Sequence, residues 1–192
     1  MNRREALSRV ALLLGGTVAG ANIFLEGCKP ADKKTASGQA AEFSQDDVAF
    51  LDEVADTILP TTSTPGAKAA HVGAFMTVMV KDCYDDRDQQ TFREGFDKIN
   101  NASKKKFDKI FMEITPQQRH ELLVDIDKEQ KEYTSKKKDD SPAHYFRLMK
   151  ELTLLGYFTS EIGATQALRY VESPGKFEGC IPYKKGDKAW AI

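Results

Sequence analysis

The chain predicts an all-α domain of five to six helices followed by an irregular C-terminal tail. Three observations predict it. Apolar residues recur at helical spacing in successive segments from Ser44 onward, several of them opened by a capping residue. No alternating strand pattern longer than a few residues occurs. After Tyr170, the residues Pro174, Gly175, Gly179, Pro182 and Gly186 break any regular element.

The first helix begins at Ser44, which with Asp47 forms a capping pattern, and Val48, Leu51, Val54, Ala55, Ile58 and Leu59 keep to one face. Pro60 stops it, because proline lacks the amide that would continue the ladder. A loop, Thr61 to Gly66, leads to a second apolar stripe at Val72, Phe75, Met76, Met79 and Val80. Asp88 is read as the cap of a long third helix carrying Phe92, Phe96, Ile99, Phe107 and Ile110, with an interruption expected near Asn100-Asn101. Thr115-Pro116 is a start signal, a cap followed by proline in the first turn, and Leu122, Leu123 and Ile126 form the inner face of that helix. Beyond a lysine-rich loop, Ser141-Pro142 is read as opening another helix through Tyr145, Phe146, Leu148, Met149, Leu152 and Leu155. Ser160 begins one more short helix ending near Tyr170.

Ahead of this domain, residues 43–192, the sequence divides into a signal peptide, 1–27, and a tether, 28–42. Arg3-Arg4 precede an apolar run from Val10 to Leu25, the layout of a secretory signal, and the paired arginines with Leu7 fit a twin-arginine signal. An ordinary export signal that happens to contain two arginines is the alternative. The run is short of the ~20 apolar residues a membrane span needs. Leu25-Glu26-Gly27-Cys28 resembles a lipoprotein cleavage site with Cys28 as the acylated residue, although Glu26 is an unusual neighbour there. A multiply acylated cysteine anchors firmly where one chain does not. Residues 29–42 carry no large apolar group and read as a flexible tether with an r.m.s. span of roughly 20 Å. The expected location is therefore periplasmic and membrane-associated.

Composition narrows the function classes. Of 192 residues, 28 are basic and 29 acidic; residues 1–27 hold three arginines and two glutamates, which leaves 25 against 27 in the remaining 165. So balanced a chain gives no electrostatic reason to bind nucleic acid. The lysine runs 104–106 and 136–138 stand beside Asp108, Asp139 and Asp140 and read as solvated faces. With Cys28 consumed by lipid, Cys83 and Cys180 form an even pair, expected as a disulfide in an oxidising compartment; two buried free thiols are the alternative.

Familiar catalytic patterns are missing from the sequence. It contains no glycine-rich dinucleotide fingerprint, no Cys-x-x-Cys-His, no Glu-x-x-His and no His-x-x-x-His. His71, His120 and His144 are scattered and read as surface or capping residues. No catalytic, cofactor-binding or metal-binding residue is assigned. One stretch, Glu151 to Tyr170, has few charges and mixes Gly156, Gly163 and Ala164 with Tyr157, Phe158 and Tyr170. Two readings of it stand side by side: close packing inside the domain, or a protein–protein contact built on Tyr157, Phe158, Glu161, Gly163, Arg169, Tyr170 and Trp190.

The run from Lys150 to Tyr170 resembles the gluconate 2-dehydrogenase subunit 3 family. So do Thr57-Ile-Leu-Pro60, Thr64 to Ala69, Val72-Gly-Ala-Phe75, Asp82-Cys-Tyr84, Pro174-Gly175 before Gly179-Cys180, and Ala189-Trp190-Ala191. The resemblance spans roughly Phe43 to Trp190. It implies the small, non-redox subunit of a membrane-associated sugar or polyol dehydrogenase. Its large partner would be a flavoprotein of the glucose–methanol–choline type carrying FAD, with a c-type cytochrome as a further subunit in many such complexes. It also implies that the small subunit helps the flavoprotein mature and supplies its twin-arginine export signal. Cys28 is a departure that points to a lipoprotein version. The competing expectations are a lipid-anchored helical scaffold without an oxidoreductase partner and a small enzyme of unrecognised type.

Overall fold

A computed structural model describes residues 42–191 except Asp139, Pro174, Phe177 and Glu178. Arg3, Arg4, Cys28 and the rest of the signal and tether through residue 41 lie outside the described residues. Five α-helices are present among the described residues: α1 Gln45–Ile58, α2 Val72–Cys83, α3 Asp86–Phe107, α4 Pro116–Lys136 and α5 Tyr145–Thr159. A 3-10 turn, Phe111–Glu113, joins α3 to α4, and a π-helical turn, Gly163–Ala167, follows α5. Two-residue strands β1 (Arg169–Tyr170) and β2 (Trp190–Ala191) pair in parallel, with Arg169 opposite Trp190 and Tyr170 opposite Ala191. The all-α expectation holds, and the only strand pairing among the described residues is this short bridge.

Local chemistry explains where the helices start. Ser44 and Asp47 cap α1 reciprocally: Asp47 N donates to Ser44 Oγ at 3.1 Å, and Ser44 N donates to Asp47 Oδ2 at 2.8 Å. Thr115 and Gln118 do the same for α4. At α3 the cap is Asp85, three residues before the expected Asp88, which instead donates its amide to Asp85 Oδ1 at 2.8 Å. Asp85, Asp86 and Asp88 all offer capping side chains, and only the backbone geometry selects among them. Asn100-Asn101 does not interrupt α3. Asn100 Oδ1 accepts from Phe111 N at 3.1 Å, so this side chain fixes the returning turn while its backbone stays helical. The cap of α5 is His144, not Ser141; its Nδ1 accepts from Phe146 N at 3.3 Å. Helix α2 begins at His71 in a left-handed conformation without a side-chain cap, and Asp52 from α1 takes over by accepting from Gly73 N at 2.8 Å.

Helix α5 is the axis of the domain, since α1, α2, α3 and α4 all pack against it. It buries Tyr145, Phe146, Leu148, Met149, Leu152, Thr153, Gly156 and Tyr157. Facing them are Leu51, Val54, Met76, Val80, Phe92, Ile99, Leu122 and Ile126, all buried. Each such side chain withdrawn from water stabilises the fold by about 1.5–3 kcal/mol. Phe43, the first large apolar residue before α1, enters an aromatic group with Phe92 and Phe96, both at 6.2 Å between ring centroids, and lies under the Arg93 guanidinium at 4.0 Å. A polar clamp ties α4 to α1: Arg119 of α4 and Lys68 both donate to Glu53 of α1, while Arg119 Nε also donates to Phe111 O at 3.1 Å. Burial, the largest influence on Glu53, raises its pKa, but the Lys68 hydrogen bond and the Arg119 charge outweigh it and hold the carboxyl below its usual range.

Candidate functional site

The stretch singled out in the sequence, 150–170, divides between interior and surface. Tyr157 is buried, and its hydroxyl donates to Pro65 O at 2.7 Å in the loop between α1 and α2. Gly163 is also buried, and a Cβ placed there would lie 1.8 Å from Tyr157 O. At Gly156 a Cβ would lie 2.6 Å from Phe75 Cδ1 on α2. These small residues therefore serve close packing within the domain, and Tyr157 and Gly163 are removed from the proposed contact surface. No larger residue fits without moving backbone or ring atoms.

Ser160 turns the chain out of α5. Its Oγ accepts from Gly163 N at 3.1 Å and donates to Tyr157 O at 2.6 Å, and the π-helical turn closes where Leu168 N donates to Gly163 O at 2.8 Å. The short helix expected up to Tyr170 thus ends at Ala167, and Arg169 and Tyr170 go into the strand pair. Arg169 N donates to Ala189 O at 2.8 Å and Val171 N to Ala191 O at 3.0 Å, which brings the end of the chain back against α5's exit.

The surface residues are Phe158, Glu161, Arg169, Tyr170 and Trp190, all exposed. Phe158 belongs to an outward row on α5 with Leu154 and Leu155, 37, 40 and 46% exposed. Leu155, expected in the core, faces solvent because the inner face is already filled by Leu152, Thr153 and Gly156. Such a row on one helix differs from scattered surface leucines, since side chains one turn apart form one continuous apolar strip. Around the strand pair, Tyr170 is 46% and Trp190 51% exposed, and the Arg169 guanidinium lies 4.6 Å over the Trp190 ring. An open cleft of ≈ 690 Å³ lies between the π-helical turn and residues 182–188, lined by Thr165, Arg169, Tyr170, Lys184, Asp187 and Lys188 among others. Sequence reasoning missed Leu154, Lys184 and Lys188. An adjacent Leu154-Leu155 pair, of which one fixed face takes only one member, was the available signal for the first; nothing local marks the lysines.

The expected Cys83–Cys180 disulfide is not formed. Both are free and exposed; Cys83 closes α2 with its Sγ 4.0 Å from Met79 Sδ, one turn back on the same helix, and Cys180 lies in coil. Counting cysteines gives an even number but no geometry, and a bond requires Cα atoms within about 7 Å. His71 and His120 are exposed, and His144 is a buried cap. Among the described residues, no group of three or more His, Cys, Asp or Glu is placed to hold a metal ion. None of their helices is long and apolar enough to cross a membrane.

A family model described as gluconate 2-dehydrogenase subunit 3 matches residues 45–175, which runs from the first residue of α1 through β1. No curated protein and no solved structure matches the chain.

Proposed function

The chain belongs to the gluconate 2-dehydrogenase subunit 3 family, and from that premise we propose that it is the non-catalytic small subunit of a periplasmic, membrane-associated, FAD-dependent sugar or polyol dehydrogenase. The family match is the observation that carries the reading, since it names a subunit of a dehydrogenase complex. In this account FAD sits on the large flavoprotein partner, with a c-type cytochrome as a further member. The small subunit aids maturation of the flavoprotein and takes it through the twin-arginine route by Arg3-Arg4, and acylated Cys28 holds the complex at the membrane.

The exposed row Leu154, Leu155 and Phe158 supports a standing contact with a larger chain. Aromatic and aliphatic side chains in a row are what partners bury at the centre of an interface, where a few residues carry most of the binding energy. The test is a pull-down of the flavoprotein with Leu155→Asp and Phe158→Asp variants. Both positions are exposed, so the fold should persist by circular dichroism while partner recovery collapses. Undiminished recovery from both variants would take this helix face out of the interface.

A further inference from the structure

Several cations of the helical body are paired with carboxylates: Arg119 with Glu53, Lys150 with Asp127, Lys106 with Glu121 and Asp125, Arg147 with Glu151. The C-terminal cleft instead gathers cations without such partners in one lining. Three cations line it, Arg169, Lys184 and Lys188, and among the described residues none has a carboxylate in salt-bridge contact. The one acid in the lining, Asp187, is engaged in its own turn: its Oδ2 accepts from Lys184 N at 2.8 Å, and its amide donates to Lys184 O at 3.0 Å. Lys188 Nζ donates to Gln166 O, which draws the 182–188 loop onto the π-helical turn and shapes the cleft wall. In sequence, residues 169–192 hold five basic and three acidic residues, in a chain that is otherwise slightly acidic.

Arg169 is the best-placed of the three. Trp190 lies under its guanidinium at 4.6 Å, and β-pairing fixes both backbones, which steadies the planar fork beside the ring. Such a fork suits a carboxylate, which it grips through two parallel hydrogen bonds. Exposed Tyr170, Trp190 and, at 77%, Tyr183 stand in the same segment and offer apolar contact to the chain on either side of an acid.

We propose that this cleft receives an acidic segment of the catalytic partner, with Arg169 binding a carboxylate and Lys184 and Lys188 complementing its charge. The inference rests on the reading of the chain as a dehydrogenase subunit and adds the chemistry of the partner's contact. A peptide suits the site better than an anionic membrane, because the charges line a cleft between two chain segments that a flat surface does not enter. A free sugar acid or phosphate would leave the surrounding aromatic surface uncovered.

The test is salt-dependent retention of the partner on the tagged full chain, taken from the native membrane. Arg169→Glu combined with Lys188→Glu should weaken retention on the order of 10-fold at low salt and flatten its salt dependence, as lost complementary charge does. Arg169→Lys, which keeps the charge and loses the fork, should fall between. Lys184→Glu, outside the strand pair, should weaken retention even if Arg169 variants fold poorly. Retention by all variants with unchanged salt dependence overturns this inference and leaves the subunit reading intact; absence of any partner on the unaltered chain overturns that reading itself. Vesicles of phosphatidylglycerol and phosphatidylcholine provide a second arm, with Cys28→Ser chain to remove the acyl group. Vesicle binding that the same charge reversals abolish would assign the cleft to lipid, and saturable binding of gluconate or phosphate to the lone chain would assign it to a small anion; either overturns the proposal.

Discussion

The hydroxyl of Tyr157 on α5 donates to the carbonyl of Pro65, 92 positions earlier, at 2.7 Å. This bond joins the central helix to the α1–α2 loop, and the same tyrosine's carbonyl is what excludes any side chain at Gly163. Two segments on which the family resemblance rests, Thr64 to Ala69 and Lys150 to Tyr170, thus meet at one residue. Their specific sequence has a packing reason before it has a functional one.

Tyr157→Phe should therefore destabilise the domain by about 1 kcal/mol, the net worth of a hydrogen bond together with an unsatisfied carbonyl. In thermal unfolding that amounts to a fall in Tm of roughly 3 °C for a domain of this size. An unchanged Tm would mean that water replaces the phenol without cost.

Gly163→Ala should cost more, about 3 kcal/mol, because its Cβ would sit 1.8 Å from a backbone oxygen that flexible side chains cannot relieve. The π-helical turn would have to open, which moves Arg169 and the strand pair with it. Denaturant unfolding reads the loss. A Gly156→Ala variant is the control, since its obstacle is the ring of Phe75, a side chain able to shift.

How much of this was legible follows from which interactions are local. The α1 and α4 starts were readable because both members of each capping box, Ser44 with Asp47 and Thr115 with Gln118, lie within one turn. The α3 start was not, since Asp85 and Asp88 are equivalent in sequence and differ only in backbone conformation. Leu155 was misplaced because helical spacing permits it on the inner face, and only the tertiary fit of Gly156 against Phe75 turns it out. At the candidate site, Arg169 and Tyr170 stand out in a stretch of few charges and mixed small and aromatic residues, and Trp190 in the closing Ala189-Trp190-Ala191. Their juxtaposition comes from strand pairing over some twenty residues, which no periodicity announces.

Acid should weaken the domain in two separate windows. Burial lowers the pKa of His144, with Glu129 opposing and Lys98 adding to the shift, so the ring is neutral when folded and its Nδ1 is free to accept from Phe146 N. The unfolded chain then binds the extra proton, and stability falls as pH drops below the ordinary histidine value of 6.5. Glu53, held low, contributes stability above the ordinary carboxylate pKa and loses it as pH falls through its lowered value. His144→Asn keeps a capping side chain and removes the titration, so its stability should be flatter between about pH 7 and about pH 5. An equal slope in the variant would assign the acid sensitivity elsewhere.

With both thiols free, reductant should leave the melting curve of the purified chain unchanged. Mass spectrometry after alkylation without reduction should find Cys83 and Cys180 both modified, as their exposure permits. A linked peptide pair protected from alkylation would restore the disulfide that cysteine counting suggested.

On the reading proposed above, this domain is the attached, non-catalytic member of a dehydrogenase complex. The direct test is affinity purification of the tagged full chain, gently solubilised from its native membrane, followed by flavin spectroscopy and sugar-dependent reduction of an artificial dye. The predicted result is a yellow complex in which dye reduction co-elutes with the tag and the flavin resides on a second, larger chain. A colourless single chain without dye reduction would rule out the attached subunit and favour a helical lipoprotein that has no oxidoreductase partner.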